Sequence, residues 1–198
     1  KNVTTHAGNL APERGSKNFW KFCFLVQIGR PFTNKIICCS KYVGRSVIKS
    51  FNLYNNEISN IYNCYDEEKF IFKEDYQLKL KEASLEKKIA LCMVARLERH
   101  KDHESLIKAI KLLKENNFKT KLFLIGNGSL RGSLEKLTGE LNLKNEVFFL
   151  GAINDVYNEL NNMDIFVFST TKDEGFGIAL VEAMGKGIPI IATNVGAC

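Results

Sequence analysis

The feature that most constrains the fold is a regular alternation of apolar and amphipathic segments between residues 87 and 198. Short apolar runs bounded by charged residues or glycine are typical of buried strands. Five such runs follow one another, and they read KKIALCMVARL, TKLFLIG, EVFFLG, DIFVFST and GIPIIAT.

The segments between these runs carry helical patterns. In DHESLIKAIKLLKENN, Leu106, Ile110 and Leu113 recur at helical spacing and Asp102 precedes them as an N-cap. SLRGSLEKLTGELN puts four leucines on one face, and INDVYNELNN is long enough for a short helix. Because strands and helices alternate strictly, we predict an α/β fold of Rossmann type, with a parallel sheet and helices on both of its faces.

The first 86 residues carry weaker patterns. VTTHAG is typical of the end of a strand, and KIICCSKYVGRSVIKSFNL of a strand followed by a helix. ISNIYNCYDEEKF predicts another strand that leads into a polar turn, and the charged stretch EDYQLKLKEASLEKK predicts a linker or a short helix. The boundary between two units is therefore expected within residues 66–86.

The positive charge of the chain is concentrated near its N-terminus. Residues 1–50 contain nine Lys or Arg and one acid, Glu13, whereas the other residues together carry a net charge of −2. A basic segment interleaved with Phe19, Trp20, Phe22 and Phe24 suits phosphate, an anionic membrane or nucleic acid. A solvated surface, or a face that packs on another part of the protein, is the simpler explanation.

Cysteine usage and hydropathy bear on the compartment. The six cysteines show no CxxC spacing and no histidine cluster, which indicates reduced thiols in a cytosolic protein. The longest apolar run, near residues 22–28, is too short to span a bilayer. The N-terminus lacks Met and shows no signal-peptide layout, so the start of the protein is expected to be missing.

Several unusual residues follow the predicted strands, at the edge where open parallel sheets bind their ligands. Arg96 closes one strand and Lys101 stands just before a helix. The turns after later strands contain Gly126, Asn127, Gly128, Gly151, Glu174, Gly175, Phe176 and Gly177. Glycines that open a helix, together with two cations, predict a site for anionic phosphate. Glu182, farther along that helix, is suited to ribose hydroxyls, so we predict a nucleotide-sugar ligand.

Other ligand classes fit the sequence less well. A dinucleotide-binding GxGxxG motif fails because Arg131 stands where its third glycine should be, and no GxxxxGK[ST] loop exists. The Asp-x-Asp pair that often holds a divalent cation in sugar transfer is also missing from the sequence. We expect His100 and His103 to be solvent-facing residues at a helix start rather than metal ligands.

An ordered set of motifs resembles the donor domain of retaining glycosyltransferases of the GT-B fold (group 1, family 4). The motifs are ARLERHK, GNGSLR, VFFLG, DIFVFST and EGFGIALVEAMGKGIPIIAT. The likeness is strong over residues 88–198 and moderate over 36–70, where Cys64 replaces a usual glycine. Residues 7–35 match no part of the family's pattern. The resemblance implies three segments: a partial acceptor-side domain over 1–70, a linker over 71–86 and a donor-binding Rossmann-like domain, truncated at its C-terminus, over 87–198.

The resemblance also implies roles for single residues. Arg96 and Lys101 would stabilise the diphosphate leaving group, Glu174 would bind the donor sugar, and His6 would stand beside the transferred sugar in the closed cleft. Glu182 would bind the ribose. The remaining donor contacts would come from Gly126, Asn127, Gly128, Gly175, Phe176, Gly177 and Ile178.

These roles imply a glycosyltransferase that moves a sugar from a nucleotide-sugar to an acceptor with retention and with no required metal or other cofactor. A UDP-sugar is expected ahead of a GDP-sugar. The acceptor would be a glycan, lipid-linked or protein molecule, and the enzyme would be cytoplasmic, with peripheral contact to an anionic membrane through residues 1–50 and no nucleic-acid partner. The alternatives are a non-catalytic nucleotide-sugar-binding remnant and a GT-B-fold epimerase. Because the resemblance implies a chain incomplete at both ends, we expect little turnover by these 198 residues alone.

Overall fold

The computed structural model describes residues 3–7, 10–64 and 88–196. The predicted linker over 71–86 lies outside these ranges. The described chain divides into two units by its internal contacts. The first unit comprises residues 3–7, 10–64, 172–177 and 195–196, and the second comprises 88–171 and 178–194.

The first unit contains a three-stranded parallel sheet in the order β1-β2-β3. Its strands are β1 (Val3–Ala7), β2 (Thr33–Cys38) and β3 (Ile58–Asn60). Two helices, α1 (Phe19–Gly29) and α2 (Lys41–Phe51), connect them, with short 3-10 helices at Arg30–Phe32 and Asn55–Glu57. The predicted strand–helix pair in KIICCSKYVGRSVIKSFNL is confirmed, whereas the sequence patterns did not identify α1.

Local sequence explains where α2 begins and ends. The Ser40 side chain accepts a hydrogen bond from the backbone N–H of Val43, which satisfies a donor of the first turn. At the other end, Asn52 adopts a left-handed conformation with φ of 53°, a common way to stop a helix. The buried face of α2 carries Val43, Val47 and Phe51, which pack with the strands of this unit.

The second unit contains a five-stranded parallel sheet in the order β6-β5-β4-β7-β8. Its strands are β4 (Ile89–Val94), β5 (Thr120–Ile125), β6 (Val147–Gly151), β7 (Ile165–Phe168) and β8 (Ile190–Ala192). The helices between them are α3 (His103–Glu115), α4 (Arg131–Glu140), α5 (Val156–Leu160) and α6 (Ile178–Gly185). The predicted parallel α/β architecture is confirmed.

Alternate residues of the central strands feed two separate cores. Leu91 and Met93 of β4 pack with the buried faces of α3 and α4, whereas Cys92 of the same strand packs with Leu160 and Leu180 from α5 and α6. This period of two is what a sheet buried on both faces requires. Within the described residues, no helix has the length and apolar character needed to cross a membrane.

Candidate functional site

The turns after β4 and β5 are joined by backbone hydrogen bonds. The Leu97 N–H donates to the Asn127 carbonyl at 3.0 Å, and the Leu130 N–H donates to the Leu97 carbonyl at 3.0 Å. This approach requires glycine, because a Cβ at Gly126 would lie 2.0 Å from the Ala95 carbonyl oxygen and one at Gly128 would lie 2.4 Å from that of Leu97. The two glycines thus bring the predicted motifs ARLERHK and GNGSLR together.

Arg96 projects from this joined turn and is exposed. Its guanidinium forms no hydrogen bond or ion pair with another residue in the described part of the chain. The carboxylate of the neighbouring Glu98 binds Ser129 instead of Arg96. It accepts hydrogen bonds from the Ser129 N–H at 3.1 Å and from the Ser129 hydroxyl at 2.9 Å. These hydrogen bonds lower the pKa of Glu98 and fix the loop. Arg96 therefore stands as an exposed cation on a rigid turn.

Lys101 lies at the carboxyl end of β7. The loop that carries it is held there because the Thr170 hydroxyl and the Thr171 N–H both donate to the His100 carbonyl at 2.8 Å. The Lys101 ammonium lies 5.2 Å from the ring centroid of Phe168, the last residue of β7. The structure thus gives Lys101 the predicted position at the carboxyl edge of the sheet.

His103 is the residue for which the sequence-based expectation was wrong. We expected a solvent-facing side chain, but His103 is only 2% exposed and neither ring nitrogen has a hydrogen-bond partner among the described residues. Burial, and secondarily the charge of Lys101, lowers the pKa of His103 to about 4. His103 is therefore a neutral core residue at pH 7, on the same helical face as Ile107 and Ile110.

Glu182 lies in α6, the helix that follows β7 in sequence. The Tyr157 hydroxyl of α5 donates to the Glu182 carboxylate at 3.3 Å, and the Lys186 ammonium lies 5.8 Å from the centroid of the Tyr157 ring. Sequence reasoning did not single out Tyr157. No sequence signal links it to Glu182, because 25 residues separate the two along the chain.

The segment 172–177 groups with the first unit. The Glu174 side chain is 8% exposed, and its Oε1 accepts from the N–H groups of Gly175, Phe176 and Gly177 at 3.1–3.4 Å. The Ser40 hydroxyl donates to the Gly175 carbonyl at 2.7 Å, so the N-cap of α2 also anchors this turn. Ser40 was missed as a site-supporting residue, although a serine between a strand and a helix is a recognisable N-cap signal.

The predicted site residues fall into two groups. Arg96, Lys101 and the Gly126–Gly128 turn lie at the carboxyl edge of the second unit's sheet; Ile178 begins α6, which carries Glu182. Glu174, Gly175, Phe176 and Gly177 belong to the first unit, as does His6, whose backbone pairs with Ile37 across β1 and β2. Among the described residues, no group of three or more His, Cys, Asp or Glu is arranged to hold a metal ion.

Comparison with known proteins identifies the family. The sequence profile of the family "Glycosyl transferases group 1" matches residues 76–198, which is more than half of the chain. The chain therefore belongs to the group 1 glycosyltransferases, as the motif resemblance predicted. The resemblance to family 4 in particular stays a prediction.

Two relatives share similar stretches of sequence. One is the N-acetylgalactosamine-N,N'-diacetylbacillosaminyl-diphospho-undecaprenol 4-alpha-N-acetylgalactosaminyltransferase of Campylobacter jejuni, 29% identical over 86% of this chain and 44% of that protein. The other is the UDP-Gal:alpha-D-GlcNAc-diphosphoundecaprenol alpha-1,3-galactosyltransferase of Escherichia coli, 32% identical over 82% of this chain and 43% of that protein. This chain spans less than half the length of either relative.

The fold matches those of solved structures, among them WaaG, a glycosyltransferase involved in lipopolysaccharide biosynthesis, with a TM-score of 0.68 at 21% identity over 82% of this chain and 45% of that chain. HepE from Anabaena, crystallised with UDP and glucose, superposes with a TM-score of 0.84 at 21% identity, over 100% of this chain and 54% of that chain. The predicted GT-B type of α/β fold is therefore confirmed.

Proposed function

We propose that this chain is the donor-binding part, with a portion of the acceptor side, of a glycosyltransferase that uses a nucleotide-sugar donor. Membership of the group 1 family carries the proposal. The cations Arg96 and Lys101 on rigid turns at the carboxyl edge of a parallel sheet support it independently, because this edge is where such sheets bind their ligands.

Arg96 and Lys101 bind the donor diphosphate. In sugar transfer the nucleoside diphosphate leaves with developing negative charge, and fixed cations stabilise that charge without reorganising during the reaction. Their presence supports a mechanism that needs no metal ion. The turn Gly126–Gly128 contributes backbone groups on the nucleotide side, and its hydrogen bonds to the Arg96 loop fix this geometry in advance.

Glu182 binds the ribose hydroxyls, because a carboxylate accepts hydrogen bonds from two vicinal hydroxyls at once. Glu174 binds the donor sugar. Its carboxylate accepts hydrogen bonds from three backbone N–H groups, which fix its orientation. The backbone of Gly175–Ile178 lines the sugar and phosphate through the close approach that glycine allows, since its first three N–H groups already donate to Glu174. His6 lies beside the transferred sugar. No residue among these is an obvious covalent nucleophile, which favours front-face displacement with retention over a double displacement.

The donor is a UDP-sugar, and the acceptor is lipid-linked. HepE was crystallised with UDP and glucose, and the two relatives described above are named for diphospho-undecaprenol substrates, one of them with UDP-Gal. Lipid-linked acceptors favour a cytoplasmic enzyme at the inner face of the membrane. Helix α1 supports peripheral contact there, since Trp20 and Phe24 are 77% and 65% exposed and residues 1–50, which include the helix, contain nine Lys or Arg and one acid.

Calorimetry with UDP, GDP and ADP in the presence of EDTA tests the donor assignment. We expect UDP to bind most tightly, and Lys101→Ala to weaken binding by about 1.5–3 kcal/mol, as for a charge-assisted hydrogen bond. Lys136→Ala is the matched control, because Lys136 is an exposed lysine of the same unit. A folded chain that binds none of the three nucleotides, or an equal effect of both substitutions, would contradict the proposal.

Product analysis tests the reaction. The chain is incubated with a UDP-sugar and a lipid-linked acceptor, and the products are separated and examined by NMR. Transfer with the donor's anomeric configuration supports a retaining glycosyltransferase, and an inverted product refutes retention. Isomerised donor indicates an epimerase. Tight UDP binding with neither product is expected both of a binding remnant and of a transferase that needs a longer chain, and transfer by a chain extended to the length of the two relatives separates these.

Sedimentation with vesicles tests the membrane contact. We expect the chain to sediment with vesicles containing phosphatidylglycerol and not with pure phosphatidylcholine, since the attraction is electrostatic. The double variant Lys17→Gln/Lys21→Gln should reduce this sedimentation. Equal sedimentation of the variant and the unaltered chain would refute a role for α1.

A further inference from the structure

The first unit contains a cavity of about 680 Å³ that none of the roles above uses. It lies between the segment 10–14, the exposed side of α2 and the residues Lys172 and Asp173. All of its lining residues belong to the first unit.

The cavity is cationic. Arg14, Arg45, Lys49 and Lys172 line it against two acids, Glu13 and Asp173, which leaves an excess of two positive charges. Arg45 and Lys49 stand one turn apart on α2, and neither side chain forms a hydrogen bond or ion pair within the described ranges; the charge of Lys49 contributes to the lowered pKa of Glu13. A concave surface with an excess of cations on one helix is suited to a multiply charged anion.

The acid Glu13 is held in the cavity only by a surface ion pair. Glu13 pairs with Lys172 at 2.7 Å, and both side chains are more than two-thirds exposed. Such a surface pair contributes little to stability, so an incoming phosphate can replace Glu13 as the partner of Lys172 at small cost.

A second cavity, of about 370 Å³, adjoins the first and has a different character. The two share Arg14 and Ser50 as lining residues, and the second is walled by Phe19, Trp20 and Phe51. A cationic cavity that shares its wall with an aromatic one matches an amphiphile with an anionic head and a hydrocarbon chain. A free phosphate would leave the aromatic cavity unused, and competition with UDP tests whether a nucleotide occupies it instead.

We propose that the paired cavities bind a lipid diphosphate, with the diphosphate in the cationic cavity and the start of the hydrocarbon chain between Phe19, Trp20 and Phe51. This inference rests on the proposed function, in which the diphosphate is that of the lipid-linked acceptor. Lys172 and Asp173 line the cavity and are followed directly by Glu174, so the segment that holds the diphosphate is continuous with the one assigned to the donor sugar.

Calorimetry with farnesyl diphosphate, a short soluble lipid diphosphate, tests the inference on the 198-residue chain. We expect stoichiometric binding that weakens as salt is raised. Arg45→Gln/Lys49→Gln should weaken binding at least tenfold. Lys35→Gln/Lys41→Gln removes the same charge from the same basic segment at exposed positions outside both cavities, and should change the affinity less than twofold.

Two further measurements distinguish binding of the diphosphate from binding of the hydrocarbon chain. Inorganic pyrophosphate should bind more weakly than farnesyl diphosphate, and Trp20→Ala should weaken farnesyl diphosphate several-fold while leaving pyrophosphate unchanged. Because Trp20, Arg45 and Lys49 are exposed, the variants should keep the melting temperature of the unaltered chain. Equal losses in both charge variants, or no loss in the Arg45/Lys49 variant, would overturn the inference.

Competition with UDP separates this inference from the proposed function. Saturating UDP should leave the affinity for farnesyl diphosphate within about twofold, and displacement by UDP would overturn a separate lipid site. A chain that binds farnesyl diphosphate but no nucleotide would refute the donor assignment and leave the lipid site standing. A chain that binds UDP but not farnesyl diphosphate would refute the lipid site and leave the donor assignment standing.

Discussion

The two units use apolar residues in different ways. In the second unit, alternate residues of β4 and β5 enter two cores, so both faces of the sheet are covered by helices. In the first unit, the buried residues centre on β2 and α2, while α1 leaves Trp20, Phe24 and Leu25 more than half exposed. The difference teaches that strict β/α alternation predicts a sheet buried on both faces, whereas a run of aromatics without a helical period forms a helix that its own unit covers only in part.

Gly126→Ala is expected to cause the largest loss of stability, and the loss should be confined to the second unit. The new Cβ would meet the Ala95 carbonyl oxygen at 2.0 Å, and the backbone φ of +138° is strained for any other residue. We expect a loss of about 3 kcal/mol in the free energy of unfolding. Hydrogen exchange should quicken in β4–β7 but not in β1–β3.

Gly132→Ala in α4 is the matched control, because nothing lies within 4 Å of its added Cβ. A helical glycine replaced by alanine should stabilise by about 0.5–1 kcal/mol. Similar losses for the two variants, or faster exchange throughout both units, would mean that the close loop approach is not what holds the second unit.

Acid should destabilise the second unit through His103. Its folded-state pKa of about 4 lies below the unfolded value of 6.5, so the unfolded state binds more protons between these two pH values. The contribution of neutral His103 to the free energy of unfolding is fully present above pH 6.5. It falls as the pH drops toward 4, by up to about 3 kcal/mol. Urea unfolding across this range measures the loss. His103→Leu should flatten the profile while His100→Gln should not, and a profile that is unchanged in His103→Leu would disprove the assignment.

Ser40→Ala should weaken the first unit selectively. The substitution removes the N-cap of α2 and the hydrogen bond to the Gly175 carbonyl, which together should cost about 1–2 kcal/mol. Thermal melting measures the change, and exchange of the 172–177 amides should quicken. Ser50→Ala, on the same helix but without a capping role, should stay within about 0.5 kcal/mol. Equal melting temperatures for the Ser40 and Ser50 variants would exclude the anchoring role.

The smallest effect is expected from Tyr157→Phe. Loss of the hydroxyl frees the Glu182 carboxylate from its 3.3 Å hydrogen bond and lets it turn. We expect the preference for UDP over 2'-deoxy-UDP to fall by about 0.5–1 kcal/mol, which is one hydrogen bond's net contribution. Calorimetry with both nucleotides measures it, and a purely structural tyrosine would leave this ratio unchanged.

Most of the second unit could be predicted from the sequence because its signals are local. Apolar runs bounded by charge identified all five strands, and Asp102 was recognised as the cap of α3, where it accepts from the Ser105 N–H. Helix α1 was missed because apolar side chains occur on every side of it, so no helical period stands out. His103 was misjudged from its polar neighbours, although its spacing from Ile107 and Ile110 already indicated a buried position.

The candidate site was predictable where motifs are contiguous and unpredictable where contacts are distant. The approach of Gly126 and Gly128 to the Arg96 loop follows from glycines placed directly after a strand. The Tyr157–Glu182 and Ser40–Gly175 hydrogen bonds link residues 25 and 135 positions apart, so only the folded chain reveals them.

The grouping of residues 172–177 with the first unit has a consequence for synthesis on the ribosome. Residues up to 64 emerge about a hundred residues before this segment does. Ser40 and Gly175 are 135 positions apart, so at roughly 5–20 residues per second the N-cap of α2 waits about 7–27 s for its partner carbonyl. During that interval the Ser40 hydroxyl of the nascent first unit has no Gly175 carbonyl to donate to, and the unit becomes complete only after β4–β8 have been translated.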